Sequence, residues 1–110
     1  STPASARRLW LTHTLKTAGR IDVDSGAKEA LVRKGASLLP SGIVDVVGLF
    51  EQGDAVEVVC QGEVIAKGLC LYNAKDLTLI KGKKSKEIAS VLGYETTNVA
   101  IHRDDMVLYS

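Results

Sequence analysis

Long apolar runs are missing from this sequence of 110 residues. None approaches the ~20 residues that a helix needs to span a bilayer, and no short apolar segment follows a basic start. Membrane and secreted classes are therefore disfavoured. Cysteine is scarce as well, with Cys60 and Cys70 the only two. That is too few for a disulfide scaffold, and neither has another Cys or His at the ~2–5-residue spacing of zinc motifs. Two thiols without a signal segment point to a reducing, cytoplasmic home. Aromatic residues amount to 5%, namely Trp10, Phe50, Tyr72, Tyr94 and Tyr109. So thin a set does not make a platform for stacking single-stranded bases. Catalytic motifs are lacking too: no GxSxG, HExxH or GxxxxGK[ST] occurs. The run Gly82, Lys83, Lys84, Ser85 lacks the upstream glycine and the preceding strand of a phosphate loop.

What is present is an ordinary globular mixture, 45% hydrophobic and 25% charged. The length gives one domain with its own core and a modest stability margin. Net charge is only +1, but it is unevenly spread. Residues 1–20 hold Arg7, Arg8, Lys16 and Arg20 without an acid, and residues 81–86 hold Lys81, Lys83, Lys84 and Lys86 without an acid. Between them, residues 43–76 carry six acids against Lys67 and Lys75. Two basic segments make a basic surface if folding puts them on one side; separate solvated loops are the commoner outcome.

The opening residues 1–6 read as a linker or an engineered junction, followed by one domain over residues 7–110. Residues 9–15 (LWLTHTL) alternate apolar and polar, as a half-buried strand does. Ala27, Ala30, Leu31 and Val32 follow at helical spacing, with Asp24 or Ser25 able to cap the helix and Gly35 to stop it. Pro40 and Gly42 make residues 37–42 a loop. Strands are expected at residues 44–50, 56–60 and 64–71, separated by turns at residues 51–54 and 61–63. Pairing about the second turn sets Cys60 near Ile65 and Cys70 near Ala55, so no disulfide is expected. Leu77 and Ile80 share one face of a short helix over residues 73–80. Ser85 can cap another helix, carrying Ile88, Val91 and Leu92 and closed by Gly93. Residues 99–102 and 106–109 read as terminal strand pieces around an acidic turn. Five or six short strands with a few helices predict a mainly β, α+β fold, a small barrel decorated by helices.

His13 is isolated, whereas His102, Arg103, Asp104 and Asp105 form the densest polar cluster. Adjacent strand carboxylates face opposite ways, and two without a third ligand make a poor magnesium or acid–base site. A turn whose Asp side chains accept backbone N–H groups is the better reading. No catalytic residue and no metal site is expected. Lys28, Arg33 and Lys34 lie opposite Leu31 on the first helix, where they can meet phosphates as point charges or keep the helix soluble. Gly35, Gly42, Gly48, Gly53 and Gly68 permit close backbone approach, although a bend is the commoner use. A nucleic acid bound here would be a structured duplex read by shape and backbone.

Taken in order, IDVDSGAKEAL at residues 21–31, SLLPSGI at 37–43, GLFEQGDAVEV at 48–58 and IAKGLCLYN at 65–73 resemble a PUA domain, the small RNA-binding module of tRNA-modifying enzymes. The SLLP loop with Gly42 and the ending VAIHRDDMVL at residues 99–108 are similar to the C-terminal PUA domain of the bacterial glutamate 5-kinase family. Trp10 after Arg7 and Arg8, IKGKKS at 80–85 with Glu87 and Ile88, and LGYE at 92–95 agree. Ala74 departs from the pattern, which more often has Ser there. The resemblance, running from about residue 7 to the end, implies a PUA-like mixed β pseudo-barrel decorated by helices. It implies a parent that phosphorylates the γ-carboxylate of glutamate in the first step of proline biosynthesis. ATP, magnesium and proline inhibition belong by that resemblance to an N-terminal amino-acid-kinase domain outside this chain, so no catalytic residue carries over. The partners implied are that kinase domain, further copies in a homo-oligomeric parent, and structured RNA, but no membrane. By the same resemblance an RNA surface maps to Lys28, Arg33, Lys34, Gly35, Ser37, Gly42 and Arg103; the acid-free run of Lys81, Lys83, Lys84 and Lys86 stands beside it as a second basic patch read from charge alone. A regulatory or assembly module of a metabolic kinase is the leading expectation and RNA binding the next. The SLLP loop and the HRDD ending argue against a piece of a tRNA-modifying enzyme.

Overall fold

Asp24 decides where the first helix starts: its carboxylate accepts the Ala27 N–H at 2.7 Å, satisfying one of the free donors of the opening turn. In the computed structural model, which describes residues 16–94 and 97–109, that helix is α1 (Ser25–Lys34). It ends at Gly35, whose φ of 61° is left-handed and lets its N–H reach back to the Ala30 carbonyl. Both signals lie where the sequence puts them. The expected linker at residues 1–6 and strand at 9–15 lie outside the described residues, with Trp10 and His13.

Before α1 runs β1 (Gly19–Val23), a strand that the sequence reading did not assign. After it come a 3₁₀ turn (Pro40–Gly42), β2 (Ile43–Gly48), β3 (Ala55–Cys60) and β4 (Glu63–Leu69). Then follow α2 (Ala74–Ile80), α3 (Ser85–Leu92), a second 3₁₀ turn (Arg103–Asp105) and β5 (Met106–Leu108). The strands form one mixed sheet in the order β2-β1-β3-β4-β5. Among the described residues only β1 and β3 run parallel, with α1 and β2 in the crossover between them.

Three details correct the sequence reading. Residues 99–102 are not a strand: Ile101 makes a single bridge to Leu38, because the Leu38 N–H reaches the Ile101 carbonyl at 2.9 Å and no ladder extends from it. Ser85 is the first residue of α3 rather than its cap, and the Glu87 carboxylate accepts the Lys84 N–H at 3.1 Å in that role. Cys60 faces Glu63, not Ile65, and Ala55 faces Leu69, not Cys70. The cause is a two-residue turn at Gln61 and Gly62, both left-handed at φ 52° and 81°, together with a register shift after Val58. Both cysteines are free and buried.

The core lies between the sheet and the helices. Ile21, Val56 and Val58 from the strands meet Leu31 of α1, Leu77 and Ile80 of α2, Ile88 of α3 and Ile101, all 0–1% exposed. Fully burying one such side chain is worth about 1.5–3 kcal/mol. Alternation in β1 leaves Arg20 and Asp22 on the opposite face of the sheet. Asp22 there stands directly opposite Asp45 of β2, a like-charge pair that destabilises a ladder unless compensated. Both are: Arg20 Nε lies 3.0 Å from Asp22 and Lys81 Nζ 3.6 Å from Asp45.

Candidate functional site

The C-terminal end of α1 and strand β5 enclose a groove of about 380 Å³, lined by Leu31, Gly35, Ala36, Arg103, Asp104 and Met106 among others. Two local features build it. Gly35 turns the chain away without a side chain, and the following Ser37 accepts the Arg103 N–H on its Oγ at 2.9 Å. That bond spans 66 positions of sequence and fixes the last turn against the loop after α1. The turn itself is capped by His102, whose Nδ1 accepts the Asp104 N–H at 3.1 Å. Gly35, Ser37 and Arg103 are therefore neighbours.

Gly42 lies outside this groove, in a cleft that shares Leu31 and Ala36 with it. It lines that cleft, of about 290 Å³, with Ser37, Ala27 and Leu39. Its carbonyl accepts the Asp24 N–H at 3.0 Å, which ties the 3₁₀ turn to the start of the helix.

The α1 cations do not act together. Lys28 Nζ lies 3.4 Å from Glu63 and Arg33 Nε 3.2 Å from Glu29. Exposed pairs of this kind add about 0.2–1 kcal/mol at most, but each removes a free positive charge from the surface. Lys34 and Arg103 make no ion pair among the described residues, and both are exposed.

The second basic patch adjoins the loop that follows α1. Gly82 N–H donates to the Pro40 carbonyl at 2.7 Å, so the α2–α3 turn rests on the 3₁₀ turn of residues 40–42. Lys81 is held by Asp45, while Lys83, Lys84 and Lys86 stand exposed. No local signal could have shown this, because the contact joins segments 42 positions apart.

One further concavity escaped the sequence reading. A cleft of about 680 Å³ on the outer sheet face is lined by Arg20, Asp22, Val44, Glu57, Val59 and Val64 among others. The alternation of Arg20 and Asp22 with Ile21 and Val23 was the signal for it. Among the described residues no three His, Cys, Asp or Glu side chains are grouped to hold a metal ion. No helix among them is long and apolar enough to cross a membrane. Three titratable groups are perturbed without lining these sites, Cys70, Tyr94 and, through burial and then Glu57, Tyr109. Burial pushes the Cys70 thiol up to about 11, partly offset by backbone hydrogen bonds from Tyr72 and Leu71. Tyr94 is raised, chiefly because its hydroxyl donates to the Asp76 carboxylate at 2.7 Å.

A mixed five-stranded sheet whose three helices share one core defines a class: the chain belongs to the PUA domain family, whose sequence profile matches residues 19–92. Its curated relatives are more particular. It is 49% identical over 110 residues to a glutamate 5-kinase of Idiomarina loihiensis, covering 98% of this chain and 30% of that protein. A glutamate 5-kinase of Salinibacter ruber is 48% identical, with 96% of this chain and 29% of that protein covered. The chain thus spans about 30% of the length of the curated relatives it matches. Among solved structures, a PUA domain from Aeropyrum pernix K1 in complex with tartrate superposes with a TM-score of 0.55 at 27% identity, over 76% of this chain and 41% of that one. A chain of an H/ACA ribonucleoprotein bound to a substrate RNA shares the fold, with a TM-score of 0.53 at 17% identity over 77% of this chain and 22% of that one.

Proposed function

We propose that this chain is the appended PUA domain of a cytoplasmic glutamate 5-kinase, and that it acts as a regulatory and assembly module docked on the amino-acid-kinase domain of the same polypeptide. The observation that carries this reading is near-half identity along almost the whole chain to glutamate 5-kinases of which it makes up under a third. Phosphorylation of the glutamate γ-carboxylate, with ATP and magnesium, then belongs to the rest of that polypeptide, which works as a homo-oligomer. The surface electrostatics support the reading. Two of the three α1 cations mapped to an RNA face are tied to carboxylates, which weakens a phosphate-binding role for that helix. Deleting residues 16–110 from the full-length enzyme should leave phosphoryl transfer in place while changing oligomer size or the response to proline. A deletion that alters neither sinks the proposal.

A second reading, RNA held in the α1–β5 groove, is favoured by the convergence of Gly35, Ser37 and Arg103 beside Lys34, which makes no ion pair among the described residues. Titrating the chain with bulk tRNA should then shift amide signals of residues 34–37 and 103–107, and the shifts should weaken as salt rises. Unmoved signals at low salt exclude it.

A further inference from the structure

The cleft of about 680 Å³ on the outer sheet face is lined by charged and apolar side chains together. Asp22, Asp24 and Glu57 share it with one cation, Arg20, while Val44, Val59 and Val64 supply its apolar surface. The acids are not all spent. Asp24 caps α1, but Glu57 makes no ion pair among the described residues. Asp22 Oδ1 is buried and accepts no hydrogen bond among them, although Arg20 Nε stands 3.0 Å away. Buried acceptors in folded proteins are seldom left unmatched. Val44 is 60% exposed. The cleft therefore suits an occupant that carries both cationic and apolar side chains.

The chain itself carries such a segment. Residues 1–20 hold Arg7, Arg8, Lys16 and Arg20 without an acid, and Leu9, Trp10, Leu11 and Leu15 follow the first two arginines. Residues 1–15 lie outside the described residues, but the point from which they depart is fixed. The Ala18 N–H donates to the Ala55 carbonyl at 2.8 Å, and Arg20 stands opposite Glu57 at one end of the cleft. From Arg20 the cleft follows β1 to Asp24, about 13 Å for that length of strand. Residues 7–15 can reach up to about 30 Å, enough to bring Arg7 and Arg8 to any of the three carboxylates. The tether decides between occupants. A segment joined to the cleft by a few residues has an effective concentration near the millimolar range, which the same segment of a second copy does not match.

We propose that the outer-face cleft is the docking site for residues 7–15 of its own chain, whose arginines meet the cleft carboxylates and whose leucines cover the valines. The cleft shares no lining residue with the α1–β5 groove, so that groove stays open when the segment is seated. The inference goes beyond the regulatory reading without depending on it.

The test uses the 110-residue chain. Nuclear Overhauser contacts should join the methyls of Leu9, Leu11 and Leu15 to those of Val44, Val59 and Val64. Trp10 is the only tryptophan, so fluorescence reports this segment alone. Its anisotropy should be at least about twofold that of a synthetic peptide of residues 1–15, because a seated segment tumbles with the domain. Dilution should leave the value unchanged. Asp22→Asn combined with Glu57→Gln keeps side-chain shape and removes charge, and should bring the anisotropy about halfway to the peptide value. Val44→Lys, at an exposed position outside the core, should lower it too. Arg7→Gln with Arg8→Gln should act as the cleft pair does, and joining the two sets should add little, as expected of groups that contact each other. Lys83→Gln, on the α2–α3 turn, should change nothing. The proposal is overturned if the wild-type anisotropy matches that of the peptide, or if the cleft variants leave it unchanged while their amide spectra show a native fold. It is equally overturned if the contacts fade on dilution, which would assign the cleft to a second copy. A kinase assay of the full-length enzyme reads the regulatory proposal separately, so either can fail alone.

Discussion

Two glycines of the candidate surface have different reasons to be glycine, and the same substitution separates them. A Cβ on Gly42 would lie 2.6 Å from the Ala27 Cβ, so the 3₁₀ turn and the start of α1 must move apart. A Cβ on Gly35 meets nothing within 4 Å, but the backbone there has a φ of 61°. Gly42→Ala should therefore cost about 1–3 kcal/mol through overpacking. Gly35→Ala should cost about 1–2 kcal/mol through left-handed strain alone, with the tertiary structure undisturbed. Urea unfolding gives the sizes, and amide spectra give the distinction: widespread shifts around Asp24 and Ala27 in the first variant, local ones in the second. Cys70 supplies a prediction in pH. Its folded value of about 11 exceeds the ordinary 9.0 because burial disfavours the thiolate, so the folded state holds the proton more tightly. The resulting stability is fully present below about 9 and is lost as pH rises towards about 11. Tyr109, raised by burial and then by Glu57, acts in the same direction. Cys70→Ala should flatten this alkaline decline in a pH series of urea midpoints; an unchanged decline would clear the thiol of it.

The hairpin between β3 and β4 offers a gain in stability. Gln61 adopts φ 52° in the first position of a turn whose second position is Gly62, a geometry that favours Asn followed by Gly. Gln61→Asn should stabilise the domain by about 0.5–1 kcal/mol, because Asn tolerates the left-handed region better; a lower urea midpoint would contradict this. Elements with a local signature were legible. Asp24 and Gly35 bracket α1, and Asn73 caps α2 by accepting the Asp76 N–H at 2.8 Å, at the boundary the sequence placed. The turn at residues 51–54 closes through Asp54, whose carboxylate accepts the Glu51 N–H at 2.9 Å. Strand β1 was missed because Ile21 and Val23 are too few to show a period and run straight into the Asp24 cap. Its parallel partner β3 begins more than 30 positions later, a pairing set by the packing of α1 and not by any turn. Of the surface residues, Gly35 and Arg103 line one groove, Ser37 and Gly42 line the adjoining cleft with Ser37 bonded to Arg103, and Lys28 faces a third. What brings the α2–α3 turn to residue 40 is a backbone bond at Gly82, and a glycine N–H leaves no trace in a sequence.

At the scale of the molecule, the end of the chain closes the structure that the earlier elements leave open. Ala100 and Ile101 are 0% exposed and Met106 is 5% exposed, so the last segment fills core volume as well as surface. The Leu71 N–H bonds the Ala100 carbonyl at 2.8 Å, Leu38 exchanges backbone bonds with Ala100 and Ile101, and the Tyr72 hydroxyl donates to the Thr97 carbonyl. Strand β5 pairs with β4 and covers what would otherwise be its free edge. Removing the equivalent of one buried Ile and one buried Met costs about 2–5 kcal/mol each. A domain of this size has about 5–15 kcal/mol in all, before the unpaired backbone of Leu38 and Leu71 is counted. Truncation after Gly93 keeps every residue of the matched family profile yet should abolish the cooperative urea transition and the near-ultraviolet circular dichroism of the native state. A truncated chain that still unfolds cooperatively would show that residues 19–92 hold a self-sufficient core. The last segment would then be an addition to the fold, and the α1–β5 groove with Arg103 could be removed without unfolding the rest.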